Sequence, residues 1–139
     1  MTIQRIAEVL KIGQPEQTVT LQGWVRTKRE LKEFAFIELN DGSSLANIQV
    51  ILGTDFPGYE NLLKQLNTGA SVKVSGELAP SPGKGQRIEL KASSVVVYGE
   101  SDPATYPLQK KRHSFEFLRG LAHLRSRTNT LGAVMRVRN

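Results

Sequence analysis

Apolar residues recur at two different spacings along the chain. In the segment 2–11 they fall on one face of a helix, which predicts a short amphipathic helix. From residue 19 onward they alternate with polar residues, as in strands that bury only one face. The alternation predicts five strands, over residues 19–30, 34–43, 45–52, 70–78 and 86–99. The positions predicted to face inward are Val19, Leu21, Gly23, Val25, Ala35, Ile37, Leu39, Ala46, Ile48, Val50, Leu52, Val72, Val74 and Leu78.

The order of these elements indicates a fold class. A helix predicted over residues 59–69 separates the first three strands from the last two. Three strands, one helix and two strands is the order of the OB-fold, a five-stranded Greek-key barrel. Gly23 suits the sharp curvature of such a barrel, and the last strand is expected to bend near Ser93 and Ser94. We therefore predict a mainly β protein: a five-stranded OB-fold barrel with a helix between strands 3 and 4, an N-terminal helix and a C-terminal helical fragment.

A polar, proline-containing connector over residues 100–111 marks a predicted domain boundary. We assign residues 1–102 to the OB-fold domain and residues 103–139 to a hinge and the truncated start of a further domain. Apolar residues recur at helical spacing after the connector, and a last helix is expected to begin near Thr128 or Thr130. Two helices of this kind cannot form a core of their own. We therefore expect them to pack on a part of a longer protein that this sequence lacks.

The composition excludes several classes of site. The sequence has no cysteine, so it forms neither disulfides nor thiolate metal sites. Its two histidines, His113 and His123, are too few for a zinc site without carboxylate ligands. The glycine-rich segment 80–85 lacks the GxxxxGK[ST] pattern of a phosphate-binding loop, and no nucleophile motif is present. We therefore expect neither a catalytic site nor a cofactor site here. The N-terminus lacks the apolar stretch of a secretory signal, which predicts a cytoplasmic protein.

Positive charge is concentrated after the connector. Residues 1–108 contain 11 Lys and Arg against 12 Asp and Glu, whereas residues 109–139 contain 8 against 1. Basic blocks of this kind often contact nucleic acid. A solvated charged surface is the alternative, and charge alone does not separate the two.

The polar face of the second strand carries two phenylalanines. In the stretch KEFAFIELNDG (32–42), Phe34, Phe36 and Glu38 alternate with the apolar inward positions. An exposed aromatic ring offers a surface on which a nucleic-acid base stacks, at about 1–3 kcal/mol per base. Amide and carboxylate groups read base edges, whereas arginine and lysine hold phosphates. The neighbouring strands add such groups to the same face: Trp24, Arg26 and Lys28, with Arg29 just beyond them, and Asn47, Gln49, Arg87 and Glu89.

Several of these side chains have a structural alternative. Phe36 lies in mid-strand between polar neighbours and is the ring that we expect to stack on a base. Phe34 covers the end of the barrel or packs on the N-terminal helix if it does not stack, and we expect Trp24 to pack under that helix. Because a carboxylate repels phosphate, Glu89 indicates either recognition of a base donor, such as guanine N1–H and N2–H₂, or a salt bridge to a neighbouring cation.

Two longer stretches resemble class II aminoacyl-tRNA synthetases of the aspartate, asparagine and lysine group. VTLQGWVRTKRELKEFAFIELNDGS followed by ANIQVIL resembles the anticodon-binding OB-domain of this group. Residues 106–139, beginning YPLQKKRHSFEFLRG, resemble the beginning of the catalytic domain in the asparaginyl branch. The resemblance implies that Phe36 stacks on the central uridine of the anticodon and that Gln49 reads the edge of that base. It places Arg29 near the same base and Glu89 opposite the first anticodon base.

The resemblance also implies partners and cofactors. The expected partner is the tRNA for asparagine, with the anticodon G-U-U. Arg26 and Lys28 match no individual position of the family, and we assign them to contacts with the tRNA backbone on their charge alone. The full-length enzyme of this branch is expected to form a homodimer and to use ATP and Mg²⁺ in a catalytic domain that this sequence lacks. Two positions depart from the expected pattern: Ser126 replaces a proline, and Gly120 lies within a predicted helix. The alternative is a free-standing OB module that binds single-stranded nucleic acid or a protein partner without anticodon selectivity.

Overall fold

The computed structural model describes residues 2–83, 85–109 and 111–139. This part of the chain forms five strands: β1 (Thr18–Glu30), β2 (Phe34–Asn40), β3 (Ile48–Gly53), β4 (Ser71–Pro80) and β5 (Ile88–Gly99). They close into a barrel in the order β1-β2-β3-β5-β4. Neighbouring strands are antiparallel, except that β3 runs parallel to β5. The predicted OB-fold barrel is therefore confirmed.

The described segments also form four α-helices and one short 3-10 turn. The helices are α1 (Ile6–Ile12), α2 (Tyr59–Gln65), α3 (Phe115–Arg119) and α4 (Asn129–Arg138), and the 3-10 turn is Arg125–Arg127. As predicted, α2 lies between β3 and β4. The first helix begins at Ile6 rather than at residue 2, because Gln4 forms an isolated parallel bridge with Leu21 instead. Within the described segments, no helix has the length and apolarity that crossing a membrane requires.

The alternating apolar residues of the strands fill the barrel. Ala35 and Leu39 of β2 are fully buried, and Ile37 between them is nearly so. Residues from the helical segments complete this core: Ile6, Val9, Leu63 and Leu66. The predicted inward position of Ala46 is wrong, because β3 begins only at Ile48 and leaves Ala46 exposed in the preceding loop.

The first strand contains a β-bulge at Arg26. Val25 pairs with Leu39, but Thr27 pairs with Glu38, which is the adjacent residue of β2. One residue of β1 therefore has no counterpart in β2. Beyond the bulge, the alternation of inward and outward side chains shifts by one position.

This shift reverses the predicted placement of Lys28. Lys28 pairs with the inward residue Ile37, and its ammonium donates to the Leu63 carbonyl at 2.7 Å and to Asn67 Oδ1 at 3.3 Å. The prediction that Lys28 lies on the outer face is therefore wrong. Arg29 takes the outward position instead.

The predicted bend in the last strand is confirmed as a second β-bulge. The register of β4 against β5 shifts between Ser75 and Gly76, which makes Ser93 the extra residue of β5. A Cβ atom on Gly76 would lie 2.0 Å from the Lys91 carbonyl oxygen. Only glycine therefore permits the two strands to approach this closely at the bulge.

The loop between β2 and β3 caps the first helix. Asp41 Oδ2 accepts a hydrogen bond from the Ile6 amide at 2.9 Å, and Ser43 Oγ accepts one from the Ala7 amide at 3.0 Å. Both amides belong to the first turn of α1, where no helical carbonyl is available to accept them. Arg5, which immediately precedes the helix, provides no side-chain cap. The β2–β3 loop therefore holds α1 against the barrel.

Two arginines connect the C-terminal segment to the barrel. Arg127 Cζ lies 4.5 Å from the centre of the Trp24 ring, and Trp24 is 38% exposed. The structure thus places Trp24 beside the 3-10 turn. The prediction that Trp24 packs under the N-terminal helix is therefore wrong. Arg136 of α4 donates from Nη2 to the Gly42 carbonyl of the β2–β3 loop at 2.6 Å.

Both C-terminal helices form in the predicted region. The last helix begins after Thr128, one of its two expected N-caps, although the Thr128 hydroxyl donates to the Arg125 carbonyl instead of capping the helix. The preceding helix ends at Arg119, so Gly120 is its C-cap rather than an interior residue. A glycine at this position does not carry the cost of a helix interior.

Candidate nucleic-acid interface

The outer face of β1 and β2 brings an arginine to the two phenylalanines. Arg29 pairs with Phe36 across the strands, and its Cζ lies 5.3 Å from the centre of the Phe36 ring. The edge of Phe34 meets the same ring, with 4.9 Å between ring centres and 77° between ring planes. Both rings are partly exposed, and neither belongs to the barrel core. Phe34 therefore lies beside Phe36 on the outer face rather than inside the barrel.

The contact between Arg29 and Phe36 has a physical basis. A guanidinium near the face of an aromatic ring is attracted to the ring's negative face, at about 0.5–1 kcal/mol on an exposed surface. Phe34 restrains the Phe36 ring from a second direction. The ring is therefore oriented before any ligand arrives, and a flat group stacked on it would lie within reach of a positive charge.

Gln49 and Glu89 are neighbours on the same outer face. Glu38 of β2 pairs with Gln49 of β3, and the register of β3 against β5 aligns Ile51 with Lys91. Gln49 Nε2 donates to Glu89 Oε2 at 3.4 Å, which is near the long limit of a hydrogen bond. Because this bond is weak, both groups can exchange it for hydrogen bonds to a ligand.

Glu89 is a buried carboxyl group, with 5% of the residue exposed. Burial raises its pKa, while Lys91 and a hydrogen bond with Ser81 act in the opposite direction. Among the described residues, no cation lies within salt-bridge distance of the carboxylate. The structure thus gives no support to the salt-bridge alternative. When ionised, the Glu89 carboxylate is free of an ion pair among the described residues and accepts hydrogen bonds from N–H donors of a ligand.

Two further polar side chains extend the face toward the C-terminal segment. Asn47 Nδ2 donates to Glu38 Oε2 at 3.4 Å. Asn40, which is buried, donates from Nδ2 to Asn47 Oδ1 at 2.9 Å and also to the Ala46 carbonyl at 3.3 Å. Asn40 therefore fixes the amide of Asn47 beside the carboxylate of Glu38.

The structure separates the basic residues that the sequence grouped together. Arg29 contacts the Phe36 ring, whereas Lys28 is bound beneath α2. Arg87 donates from Nη2 to carbonyls in the last turn of α1. Arg26 lines a cleft between the barrel and the C-terminal segment, and Arg127 of that segment lines the same cleft.

One basic residue of the face escaped prediction. Lys91 is exposed and aligns with Ile51, which is in turn the partner of Phe36. The alternation along β5 puts Lys91 on the same side as Glu89, two residues earlier, and this signal was available in the sequence. The outer face therefore carries a cation on each side of its aromatic centre.

Comparison with known proteins agrees with this arrangement. The model of the tRNA anti-codon family, described as an OB-fold nucleic acid binding domain, matches residues 19–98. The chain belongs to this family. The matched part of the OB-fold nucleic acid binding domain contains Arg29, Phe36, Gln49 and Glu89.

The curated relatives identify a branch of synthetases. The chain is 69% identical to the asparagine–tRNA ligase of Nostoc sp. (strain PCC 7120) over 139 residues, which is all of this chain and 30% of the relative. It is 70% identical to the asparagine–tRNA ligase of Microcystis aeruginosa over 135 residues, 97% of this chain and 30% of the relative. The resemblance to the asparaginyl branch is therefore confirmed. The chain spans about 30% of the length of these curated relatives.

Solved structures share the fold at lower identity. The asparaginyl-tRNA synthetase of Pyrococcus horikoshii has a TM-score of 0.80 at 22% identity, over 98% of this chain and 33% of that one. An OBody bound to hen egg-white lysozyme has a TM-score of 0.62 at 14% identity, over 73% of this chain and 98% of that one. At these identities the likeness concerns the fold alone. Since the OBody binds a protein, the barrel by itself does not select the ligand, and the argument for function rests on the face.

Proposed function

We propose that this chain is the anticodon-binding part of an asparagine–tRNA ligase, and that its outer face binds the anticodon loop of the tRNA for asparagine. The observation that carries the proposal is the Phe36 ring, restrained by Arg29 on a face that also bears Gln49 and Glu89. An aromatic surface beside base-edge donors and acceptors suits the splayed bases of a single-stranded loop. Identity to known asparagine–tRNA ligases supports the same role.

In this proposal the central uridine of G-U-U stacks on Phe36. Phe36 pairs with Ile51, so Gln49 is its diagonal neighbour on β3, about 7–8 Å away by the geometry of antiparallel strands. The edge of a base stacked on the ring can therefore reach the Gln49 amide. That amide offers one acceptor and two donors, which match the N3–H and the carbonyl oxygens of uracil. Arg29 stabilises the neighbouring phosphate or stacks on the base.

The first anticodon base, guanine, is assigned to Glu89. Guanine presents two N–H donors on its Watson–Crick edge, N1–H and N2–H₂, and a carboxylate accepts both. The bases adenine and cytosine lack this pair of donors. Exchange of the weak bond from Gln49 for two bonds from guanine gives the buried carboxylate better partners than it has in the free chain.

The remaining members of the proposed interface have subsidiary roles. Phe34 supports Phe36 from its edge, and its exposed part can contact a neighbouring base. Arg26 is assigned to a contact with the RNA backbone. Lys28 is left out of the interface, because its ammonium is bound to the Leu63 carbonyl beneath α2.

The other functions belong to the longer protein in this proposal. Residues 1–102 form the anticodon-binding domain, and residues 103–139 form the hinge and the start of the catalytic domain. The charging reaction, ATP and Mg²⁺, and the homodimer interface then lie mainly outside this chain, in a cytoplasmic enzyme. The Pyrococcus horikoshii asparaginyl-tRNA synthetase has been solved in complex with asparaginyl-adenylate, a product of ATP-dependent activation.

The test is binding of this chain to a 17-nucleotide anticodon stem-loop at one fixed salt concentration. The loop carrying G-U-U is compared with the same loop carrying G-C-U, and the wild-type chain is compared with Phe36→Ala. Phe117→Ala is the matched control, since Phe117 is an exposed phenylalanine of α3, outside the barrel. We expect the change to C and the loss of Phe36 each to weaken binding by about 1–3 kcal/mol. Phe117→Ala should bind as the wild type does.

The main competing function is a single-strand binder without base preference. The basic charge of residues 109–139 favours it, because charge of this kind binds any RNA. Such a binder would hold both loops equally, and if it acts through the charge of residues 109–139 it would not depend on Phe36. Equal binding in all combinations would therefore reject the anticodon proposal and retain the competing one.

A further inference from the structure

A cleft of about 430 Å³ separates the barrel from the C-terminal segment. The barrel contributes Arg26, Glu38 and Asn47 to its lining, and the C-terminal segment contributes Arg112 and Arg127. The first turn of α4 also lines the cleft, and no side chain caps that helix. Charge of one sign therefore dominates a cavity that is large enough for a phosphate group.

Arg26 and Arg127 both line this cleft, and neither forms an ion pair among the described residues. Arg127 rests against the Trp24 ring at 4.5 Å, which directs its guanidinium toward the barrel. Within the described chain, neither Arg26 nor Arg127 has a salt-bridging partner or a side-chain hydrogen bond. Glu38 is the one carboxylate among the described lining residues, and it already accepts a hydrogen bond from Asn47.

The electrostatic cost of this arrangement falls on Arg26. Burial lowers the pKa of Arg26 and the positive charge of Arg127 lowers it further, against smaller opposing effects of Tyr106 and Glu38. Arginine nevertheless keeps its proton in proteins, so the folded chain holds two like charges together. An anion between them would relieve the repulsion and could accept paired hydrogen bonds from each guanidinium.

The cleft continues directly from the outer face. Glu38 and Asn47 line both the cleft and the outer face, and Glu38 pairs with Gln49, the residue assigned above to the central base. An RNA strand whose bases lie on the face would therefore carry its backbone across the cleft. The bulge takes Arg26 out of the regular alternation of the strand, and its side chain lines the cleft.

We propose that Arg26 and Arg127 together clamp one backbone phosphate of the bound RNA in this cleft. The proposal rests on the proposed RNA-binding function and adds a contact that reads no base. Because one arginine belongs to the barrel and the other to the C-terminal segment, the phosphate would also connect the two parts of the chain.

The test is binding of the 139-residue chain to a full-length tRNA transcript with the anticodon G-U-U, and to one with G-C-U, over a series of salt concentrations. The variants are Arg26→Gln, Arg127→Gln and the double variant. Arg125→Gln is the matched control, since Arg125 lies in the same 3-10 turn, is exposed and does not line the cleft. Thermal melting of each variant establishes that it is folded.

We expect each single change in the clamp to weaken binding of both transcripts on the order of tenfold and to leave their ratio unchanged. The double variant should lower the slope of log K against log salt by about 0.7, the contribution of one single-strand phosphate. Because the two arginines share that phosphate, each single variant should lower the slope by no more than this amount. Arg125→Gln should leave the slope unchanged.

Two outcomes would overturn the clamp. If Arg26→Gln and Arg127→Gln weaken binding no more than Arg125→Gln does, the cleft does not hold RNA, even where the wild type still distinguishes G-U-U from G-C-U. If the double variant lowers the slope by about 1.4, the value for two single-strand phosphates, the arginines contact separate phosphates. Conversely, suppose that the wild type binds both transcripts equally while the clamp variants still lower the salt slope. That result would reject the anticodon proposal and uphold the phosphate site.

The variant Arg26→Lys provides a further check. It keeps the charge, and therefore the slope, but loses the paired hydrogen bonds of the guanidinium.

Discussion

Arg29 and Lys28 are adjacent in the chain, yet they point to opposite sides of the barrel wall. Arg29 stands over the Phe36 ring on the outer face, whereas Lys28 donates to the Leu63 carbonyl beneath α2. The β-bulge at Arg26 produces this division, because it determines which of the β1 residues after it face inward and which face outward. Two neighbouring cations thereby acquire different functions.

Because Arg29 and Lys28 lie on opposite sides of the barrel wall, a change to glutamine should affect RNA binding at one position and the free energy of unfolding at the other. Arg29→Gln should weaken binding of the G-U-U stem-loop by about 1 kcal/mol, with little change in the free energy of unfolding, because its side chain is exposed. Lys28→Gln should lower the free energy of unfolding by about 1 kcal/mol through loss of its bond to Leu63, and should leave RNA binding unchanged. Fluorescence titration and urea denaturation of both variants measure the two quantities. The reverse pattern would contradict the observed register.

Glu89 predicts a variant that is at least as stable as the wild type but less selective. Its folded-state pKa lies above the ordinary value of 4.5, so the ionised form is disfavoured in the fold and costs stability at neutral pH. Glu89→Gln removes that cost and should leave the free energy of unfolding at pH 7 equal or higher. The same change replaces a guanine acceptor by a mixed donor and acceptor. Preference for G over A at the first anticodon position should therefore fall, as competition between the two stem-loops would measure.

The same carboxyl predicts how selectivity depends on pH. The folded-state pKa of Glu89 lies above the ordinary value of 4.5. As the pH falls through this folded-state pKa, the Glu89 carboxylate binds a proton. The protonated group cannot accept both guanine donors. Preference for guanine should therefore decline in the wild type as the pH falls through this window, and should stay constant in Glu89→Gln. A parallel decline in both proteins would assign the effect to another group.

Asp41 predicts an acid-sensitive cap on the first helix. Burial alone would raise the pKa of Asp41, but hydrogen bonds from Ser43 and from the Ile6 amide outweigh burial and hold it below the ordinary value. A lowered pKa stabilises the fold above the unfolded-state pKa, and this stability is lost as the pH falls through the folded-state pKa. Asp41→Ala should cost about 1 kcal/mol at pH 7, the usual cost of removing a helix cap, and less in acid. Urea denaturation at several pH values measures this, with Asp55→Ala at an exposed position as the control.

The close approach of β4 and β5 at Gly76 predicts that this position tolerates no side chain. A Cβ there would lie 2.0 Å from the Lys91 carbonyl oxygen, which belongs to backbone and cannot turn away. Gly76→Ala should lower the free energy of unfolding by at least about 2 kcal/mol, because β4 and β5 must separate at the bulge. Gly83→Ala is the control, since the nearest atom to its Cβ would be a serine hydroxyl at 3.6 Å. Equal denaturation midpoints for the two variants would show that the bulge is compliant.

The sequence predicted much of the barrel because a strand buried on one side has a strict period. Ala35, Ile37 and Leu39 are inside, and the intervening Phe36 is outside, as the alternation requires. The break near Ser93 was visible in the same way. These features depend only on neighbours within one strand.

The errors occur where the structure depends on distant residues. The bulge at Arg26 is set by pairing with β2, so the placement of Lys28 could not be read from its own strand. The position of Trp24 depends on Arg127, more than a hundred positions later in the chain. Burial of Glu89 likewise results from the packing of other elements, whereas its position beside Gln49 follows from strand order alone.

The contact between Trp24 and Arg127 also gives the chain an intrinsic optical reporter. Trp24 is the one tryptophan in the sequence, and its indole lies at the junction between the barrel and the C-terminal segment, partly open to solvent. Emission from an indole responds to nearby charge and to water. Fluorescence at this single position therefore records whether the C-terminal segment is seated on the barrel, without a label and independently of the faces that bind bases.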